Sequence, residues 1–242
     1  MVRKITTIFS LVICLLLLTK CKHTSKTEAI YLGNNYAGIQ EGSTVKFYQS
    51  KEPKKWRYSP DKDFVSPESI DDVFYFGGTY MGVRHDKTVK FYKTNQQGTW
   101  NYSPGKDFTS HENVDGVFRF MGGSIGVWNG RSIKFYQTNN EGTWAKSAVK
   151  DFVNPNNIDG AFYLMNSFIG IREGRMVKFY VQNGQGTWTY LKGKDFVSPG
   201  QVDYIFYLTT GPIGVINGRT IKFYEINEQG RWTYLAGDDF SF

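Results

Sequence analysis

Apolar and aromatic residues recur along the chain with a fixed spacing of 44 residues. The tripeptide Lys-Phe-Tyr begins at Lys46, Lys90, Lys134, Lys178 and Lys222. The same step relates five glycines, five tryptophans and five phenylalanines: Gly38, Gly82, Gly126, Gly170 and Gly214; Trp56, Trp100, Trp144, Trp188 and Trp232; Phe64, Phe108, Phe152, Phe196 and Phe240. Because no gap is needed between the units, the pattern predicts five copies of one structural unit.

Within one unit the hydrophobic pattern predicts four β-strands. In the second unit these cover residues 73–76, 80–84, 88–93 and 99–102, with turn residues between them. Apolar residues occur on both faces of the strands, as expected where each sheet packs between two others. Four strands in 44 residues are typical of a propeller blade. The sequence therefore predicts an all-β, five-bladed β-propeller with four antiparallel strands per blade over residues 29–242, in units at about 29–70, 71–114, 115–158, 159–202 and 203–242.

The recurring glycines and tryptophans suggest how the units pack. Gly82 and its equivalents lie inside a predicted strand, where glycine is favoured by the close approach of another group, so we expect tight contact between blades there. We also expect Trp100 and its equivalents to lie in the core between blades. The chain starts with a first strand and ends just after a fourth, so ring closure is predicted to rest on packing of the fifth unit against the first.

The N-terminus departs from the repeat. Arg3 and Lys4 precede an apolar run over residues 5–18, and this order is typical of a secretory signal peptide. The position of Cys21 resembles the lipobox of bacterial lipoproteins, which implies a leader over residues 1–21, lipidation of Cys21 and a short tether over residues 22–28. A plain secretory signal or an uncleaved anchor is the alternative, because Lys20 stands where a small residue is usual.

Composition and charge narrow the range of partners. Removal of Arg3, Lys4 and Lys20 with the leader lowers the formal net charge from +7 to +4. Since no basic run is present either, no nucleic-acid partner is predicted. Residues 29–242 contain no cysteine, so the body is predicted to be held by its core rather than by disulfides. The predicted location is the bacterial cell envelope, at the outer membrane or cell surface, with a lipid anchor in the membrane.

The order of features in a unit resembles the repeat of tachylectin-2-type lectins. In the second unit this order is Val73 and Phe74, Tyr80 to Val83, Lys90 to Tyr92, then Trp100. The resemblance implies a five-bladed propeller that binds N-acetylated amino sugars at a site repeated in each blade. A weaker resemblance links residues 70–74, 114–118, 158–162 and 202–206 to hemopexin-like repeats, although hemopexin domains have four blades and a closing disulfide.

Few residues suggest catalysis. His23, His85 and His111 fall at non-equivalent positions, and we expect His85 and His111 to be ordinary surface residues. No enzyme activity and no cofactor or metal site is predicted. One set of aspartates could ring the axis and hold a hard cation, but the preferred interpretation is that they cap turns: Asp71, Asp115, Asp159 and Asp203.

Candidate ligand-binding residues lie on and just after the third strand. Strand alternation places the lysine and the tyrosine of Lys-Phe-Tyr on one side, and an asparagine follows three residues after the tyrosine. An aromatic surface with polar groups beside it suits sugar recognition. The candidates are Lys90, Tyr92 and Asn95; Lys134, Tyr136 and Asn139; Lys178, Tyr180 and Asn183; Lys222, Tyr224 and Asn227. Unit 1 has Lys51 in place of the asparagine, so four sites and an altered one are predicted.

Each of these residue types also has a structural explanation. The asparagines suit tight hairpin turns, and each recurring lysine could pair with the recurring aspartate of its unit, as Lys90 with Asp107. The favoured function is nevertheless non-catalytic, multivalent, lectin-like binding of glycans. The alternative is a protein-interaction scaffold of an envelope complex, which would use residues that depart from the repeat, such as Lys54, Lys55, Trp128, residues 165–168 or residues 211–212.

Overall fold

Five antiparallel β-sheets follow one another along the chain. The computed structural model describes residues 29–33, 36–52, 55–95, 97–139, 141–164, 167–208, 211–237 and 239–242. Blade 1 contains β1 (Ala29–Gly33), β2 (Tyr36–Glu41), β3 (Thr44–Glu52), β4 (Lys55–Tyr58) and β5 (Phe64–Val65). Blade 2 contains β6 (Asp72–Gly77), β7 (Tyr80–His85), β8 (Thr88–Thr94), β9 (Trp100–Tyr102) and β10 (Phe108–Thr109). Blade 3 contains β11 (Gly116–Phe120), β12 (Ser124–Asn129), β13 (Ser132–Thr138), β14 (Trp144–Lys146) and β15 (Phe152–Val153).

The last two blades repeat this order. Blade 4 contains β16 (Gly160–Tyr163), β17 (Phe168–Glu173), β18 (Met176–Gln182), β19 (Trp188–Tyr190) and β20 (Phe196–Val197). Blade 5 contains β21 (Tyr204–Tyr207), β22 (Ile213–Asn217), β23 (Thr220–Ile226), β24 (Trp232–Tyr234) and β25 (Phe240–Ser241). Single 3₁₀ turns occur at Pro60–Lys62 and Met121–Gly123. The predicted all-β, five-bladed propeller with four strand positions per blade is confirmed.

The fourth strand of each blade is split into two short segments, which the sequence did not predict. In blade 2, β9 pairs with the second half of β8 and β10 pairs with its first half. The gap falls at the phenylalanine of Lys-Phe-Tyr. In blade 1, the Phe47 amide in this gap donates to Asp63 Oδ1 at 3.1 Å, and the Phe47 carbonyl accepts from Ser59 N at 2.8 Å. In blade 1, Asp63 thus takes the place of the missing strand partner, because a buried strand amide needs a hydrogen-bond acceptor.

The ring is closed by side-chain contacts between blades 5 and 1. The innermost strands contact each other in the order β1, β6, β11, β16, β21 and back to β1. Each sheet contains strands of one continuous stretch of chain, so no strand of the described ranges is exchanged between the ends. At the closing junction Trp56 of blade 1 stacks on Phe223 of blade 5, with ring centroids 6.5 Å apart. The predicted closure of blade 5 on blade 1 is confirmed.

The same tryptophan contact joins every other pair of neighbouring blades. Each tryptophan stacks on the phenylalanine of Lys-Phe-Tyr in the preceding blade, at centroid distances between 5.4 and 5.6 Å: Trp100 on Phe47, Trp144 on Phe91, Trp188 on Phe135 and Trp232 on Phe179. The indole nitrogen of each donates to a backbone carbonyl of that blade, as Trp100 does to Lys62 at 2.9 Å. The predicted place of the tryptophans between blades is confirmed.

The recurring strand glycines make their close contact within their own blade. Gly82 lies opposite Phe74 of the inner strand, and a Cβ on Gly82 would lie 2.4 Å from that ring. Gly126, Gly170 and Gly214 face Phe118, Phe162 and Phe206 in the same way. The expectation of a contact between blades at these glycines is therefore wrong: the inner-strand ring of the same sheet lies over the glycine.

The predicted leader, Cys21 and the tether lie outside the described residues. Within the described ranges, no helix has the length and apolarity needed to cross a bilayer.

Candidate functional site

The two ends of the ring carry different parts of each unit. At one end lie the linkers between blades and the turns between second and third strands, here called the linker face; in blade 2 these are residues 110–115 and 86–87. At the other end lie the turns before the second and fourth strands, here called the hairpin face; in blade 2 these are residues 78–79 and 95–99.

The third strand carries its lysine and its asparagine to opposite faces. Lys134 lies near the start of β13, and Asn139 directly follows the end of that strand. Five residues of extended chain separate them by about 16 Å. The structure therefore brings the lysine and tyrosine of each unit together but leaves the asparagine at the far end.

The asparagines cap their own turns. Asn139 Oδ1 accepts hydrogen bonds from the amides of Glu141 at 3.0 Å and Thr143 at 2.9 Å. The equivalent oxygens of Asn95, Asn183 and Asn227 accept from the amide four residues later. This is the turn chemistry considered as the alternative for these residues. Asn95 also lines a separate depression on the hairpin face with Thr79, Lys93 and Tyr102.

The tyrosines of Lys-Phe-Tyr are largely buried between blades. Tyr92 is 6% exposed and packs against Phe64 of the preceding blade, with ring centroids 4.6 Å apart. Tyr180 and Tyr224 are buried in the same way against Phe152 and Phe196. Burial raises the pKa of the Tyr92, Tyr180 and Tyr224 hydroxyls. These three tyrosines are therefore core residues, and the faces of their rings are not accessible to a ligand.

Tyr136 of blade 3 is half-buried and lines a polar pocket on the linker face. The pocket lies between blades 2 and 3 and has a volume of about 180 Å³. Its lining supplies hydroxyl, carboxylate, amide and ammonium groups around one aromatic ring: Ser110, Glu112, Asn113, Val127, Asn129, Ser132, Lys134 and Tyr136. We refer to this set as the 2/3 pocket. It contains two of the predicted site residues, Lys134 and Tyr136.

A departure from the repeat leaves Tyr136 less covered than Tyr92, Tyr180 and Tyr224. In blade 2, Tyr102 lies opposite Tyr92 and packs on it at 5.7 Å. In blade 3, the residue opposite Tyr136 is Lys146, whose Nζ turns away to Asp151 Oδ2 at 2.9 Å. Without a second ring over it, Tyr136 faces the pocket.

Four of the five lysines of Lys-Phe-Tyr pair with glutamates, not with the recurring aspartates. Lys90 Nζ lies 2.5 Å from Glu68, and Lys134 Nζ lies 2.5 Å from Glu112. Lys46 pairs with Glu41 at 2.7 Å. The hydrogen bond to Glu112 raises the pKa of Lys134 and lowers that of Glu112. The prediction of a repeated lysine–aspartate pair is therefore wrong.

The aspartates instead bind the tyrosines of the fourth strand. Tyr102 donates to Asp107 Oδ2 at 2.5 Å, and Tyr190 donates to Asp195 Oδ2 at 2.5 Å. Tyr58 and Asp63 are joined in the same way. The hydrogen bond to Asp195 raises the pKa of Tyr190 to about 12. This clasp holds the two segments of the split strand together.

The equivalents of the 2/3 pocket at two other junctions are filled by side chains of the chain itself. Between blades 1 and 2, the side chain of His85 is 9% exposed and binds the backbone oxygen of Ser69. Between blades 3 and 4, Glu173 accepts from Asn154 at 2.9 Å, from Asn156 at 2.8 Å and from Lys178. His85 is thus not the ordinary surface residue that was expected, whereas His111 is exposed.

The junction between blades 4 and 5 has a different character. Gly200 stands at the position of Glu112, and Asn217 at the position of Glu173. Among the residues that the structure describes, no carboxylate pairs with Lys222; its Nζ lies 5.8 Å from the centre of the Tyr234 ring. These four junctions therefore have the same strand arrangement but different polar side chains.

The aspartates before the first strands cap turns, as preferred in the sequence analysis. Asp115 Oδ2 accepts from the Gly130 amide at 2.7 Å, and Asp71, Asp159 and Asp203 accept from the equivalent turn amide. In the part of the chain that the structure describes, no group of three or more histidine, cysteine or acidic side chains could hold a metal ion.

Sequence reasoning missed most of the 2/3 pocket. Ser110, Glu112 and Asn113 come from a linker, and Asn129 and Ser132 are the strand residues that flank a turn; the repeat varies at both places. The signal that could have found them is the single break in the fourth-strand series, Lys146 in place of tyrosine. Conversely Trp128, named above as a possible docking residue, is buried at 4% exposure.

Comparisons with known proteins find distant structural likenesses and no family. No family model and no curated protein matches the chain. It is similar to a protein of known structure from Lactobacillus plantarum, with 9% identity, a TM-score of 0.44 and coverage of 86% of this chain and 69% of that one. It is also similar to a functionally unknown protein from Desulfotomaculum acetoxidans, with 9% identity, a TM-score of 0.48 and coverage of 90% and 69%. Likenesses this distant carry no argument on function.

Proposed function

We propose that this protein is a non-catalytic, lectin-like carbohydrate-binding protein and that its best-formed sugar site is the 2/3 pocket. The observation that supports this is the lining of that pocket, where polar groups of four kinds surround one tyrosine. A sugar needs donors and acceptors for its hydroxyls and an apolar surface for its ring face. A volume of about 180 Å³ suits one ring rather than a large ligand.

The roles of the lining follow from their chemistry. The Lys134 ammonium and the Glu112 carboxylate, held together at 2.5 Å, offer a donor and an acceptor to vicinal hydroxyls. Asn113 and Asn129 are exposed and supply amides at the rim. An N-acetyl group, implied by the resemblance to tachylectin-2-type lectins, would find the amide partners it needs there.

A glycan array followed by calorimetry with the free monosaccharide tests the proposal. We expect saturable binding that Lys134→Met weakens by about tenfold or more, since a hydrogen bond to a charged group contributes roughly 1.5–3 kcal/mol. Asn113→Ala should weaken binding of the same sugar and leave the protein folded, because Asn113 is exposed.

Two control variants locate the site. Lys90→Met removes a lysine paired at the same 2.5 Å distance in the equivalent junction that His85 fills. Asn139→Ala alters the sequence-predicted asparagine on the opposite face. Both should leave binding unchanged. A folded protein that binds no glycan, or binding that Lys134→Met and Asn113→Ala leave intact, would contradict the proposal and favour a protein partner instead.

A further inference from the structure

The inner strands enclose a second cavity on the axis of the ring. Its volume is about 320 Å³, and aromatic and aliphatic side chains dominate its lining, including Phe74, Phe118, Phe162 and Phe206. It shares no residue with the 2/3 pocket.

One register position around this cavity breaks the five-fold pattern. Tyr75, Arg119, Tyr163 and Tyr207 lie opposite equivalent residues of their second strands, and all four line the cavity. Residue 31 of unit 1 is also a tyrosine in the sequence. The repeat therefore places tyrosine at this position four times and arginine once.

The guanidinium of Arg119 is held in place without a counter-charge. It lies 5.6 Å from the centre of the Tyr75 ring, and Tyr75 in turn donates to the Gly78 carbonyl at 3.1 Å. A Cβ on Gly77 would come within 3.0 Å of the guanidinium carbon, so this glycine, with a φ of +118°, leaves the space that the group occupies.

The charge of Arg119 is unpaired. Its Nε is buried without a hydrogen-bond partner, and within the described ranges no carboxylate lies at ion-pair distance from it. Among the described residues that line the cavity, Arg119 is also the single charged one. Arg119 is half-buried, and an anion in the cavity would supply the counter-charge that it lacks. The planar fork of an arginine matches a carboxylate with two parallel hydrogen bonds.

We infer that the axial cavity binds a small organic carboxylate, with the carboxylate on Arg119 and the apolar body of the ligand against the tyrosine and phenylalanine rings. Arg119 binds the charged group of the ligand, and the apolar remainder of the lining suits a ring or a short aliphatic group. This site is independent of the proposed sugar site.

Benzoate titrated into the full chain, followed by calorimetry or ligand-observed NMR, tests the inference, with benzamide as the neutral analogue and inorganic phosphate as the bare anion. We expect saturable benzoate binding, benzamide at least about tenfold weaker, and phosphate unable to displace benzoate. This comparison uses the unaltered protein and so does not depend on any variant folding.

Variants then assign the site. Arg119→Gln should weaken benzoate at least about tenfold, and Arg119→Tyr, which restores the residue of the other units, should do the same. Arg131→Gln, which removes an exposed arginine of the same blade, should have no effect. The inference is overturned if benzoate does not bind saturably, if benzamide or phosphate binds as well as benzoate, or if Arg119→Gln leaves the affinity unchanged.

Discussion

At the scale of single residues, the strand glycines show the strictest demand of the repeat. Gly82 has no side chain because Phe74, which is buried at 4% exposure, lies across it. Unit 1 satisfies the same contact with Ile30 opposite Gly38. The glycine and the inner-strand residue therefore form one packing unit.

Gly82→Ala should destabilise the protein by about 1–3 kcal/mol, because the new methyl overlaps the Phe74 ring by more than a small shift can relieve. The free energy of unfolding from denaturant titration measures this. Gly184→Ala is the matched control, since a Cβ there meets nothing within 4 Å, and it should be neutral or slightly stabilising.

Combining Gly82→Ala with Phe74→Leu should cost less than the two changes added together, because the smaller side chain frees the space. Equal stability of Gly82→Ala and the unaltered protein would show that the packing of the Phe74 ring does not depend on a glycine at position 82.

At the scale of elements, the sequence predicted the first three strands of each blade and missed how the fourth is built. The first three contain long alternating or continuous apolar runs, such as Thr88–Thr94. The second half of the fourth has two residues, as in Phe108–Thr109, and is held by its register with the third strand and by an aspartate. A segment this short has no periodicity to read.

The candidate site was predictable only where it coincides with the repeat. Lys134 and Tyr136 were found because every unit contains them, but the same regularity drew attention to Asn139, which caps a turn on the other face. The features that open a pocket between blades 2 and 3 are departures, above all Lys146. Internal repetition identifies what every blade needs for folding, whereas a site used once is built from the exceptions.

The tyrosine–aspartate clasp of the split strand predicts a pH dependence. The pKa of Tyr190 is raised from 10.0 to about 12, so the protonated hydroxyl is favoured in the folded state. The clasp is therefore fully stabilising below about pH 10 and is lost as the pH rises through about 12. We expect the free energy of unfolding to fall over this window, and Tyr190→Phe to flatten part of that fall.

Phenolate absorbance measures the same group directly. The absorbance of the unaltered protein minus that of Tyr190→Phe should titrate near pH 12. In the Asp195→Asn background the pKa of Tyr190 should return toward 10, because the accepting carboxylate is gone. A difference that titrates near 10 in the unaltered protein would mean that the clasp does not form in solution.

At the scale of the whole molecule, one of the five junctions differs from the rest in covalent continuity. Among the described residues, blades 1 and 5 are joined by an apolar cluster that includes Ile39, Ile221 and Phe240 with Trp56 against it, and by the Arg219–Glu41 ion pair at 3.9 Å. The other four junctions have the same tryptophan contact and also a linker of the chain. When these contacts open, no linker keeps the two blades close.

Trp56→Ala should therefore open the ring locally, whereas Trp144→Ala should not. Both remove a half-buried indole, at a cost of about 3 kcal/mol each by loss of packing. Hydrogen exchange read by mass spectrometry should show faster exchange in β1–β5 and β21–β25 together for Trp56→Ala, because the variant removes the ring contact between blades 1 and 5. For Trp144→Ala the change should stay within blades 2 and 3. Equal, uniform acceleration over all five blades in both variants would instead mean that the ring unfolds as one unit and that the closing junction is no weaker than those with a linker.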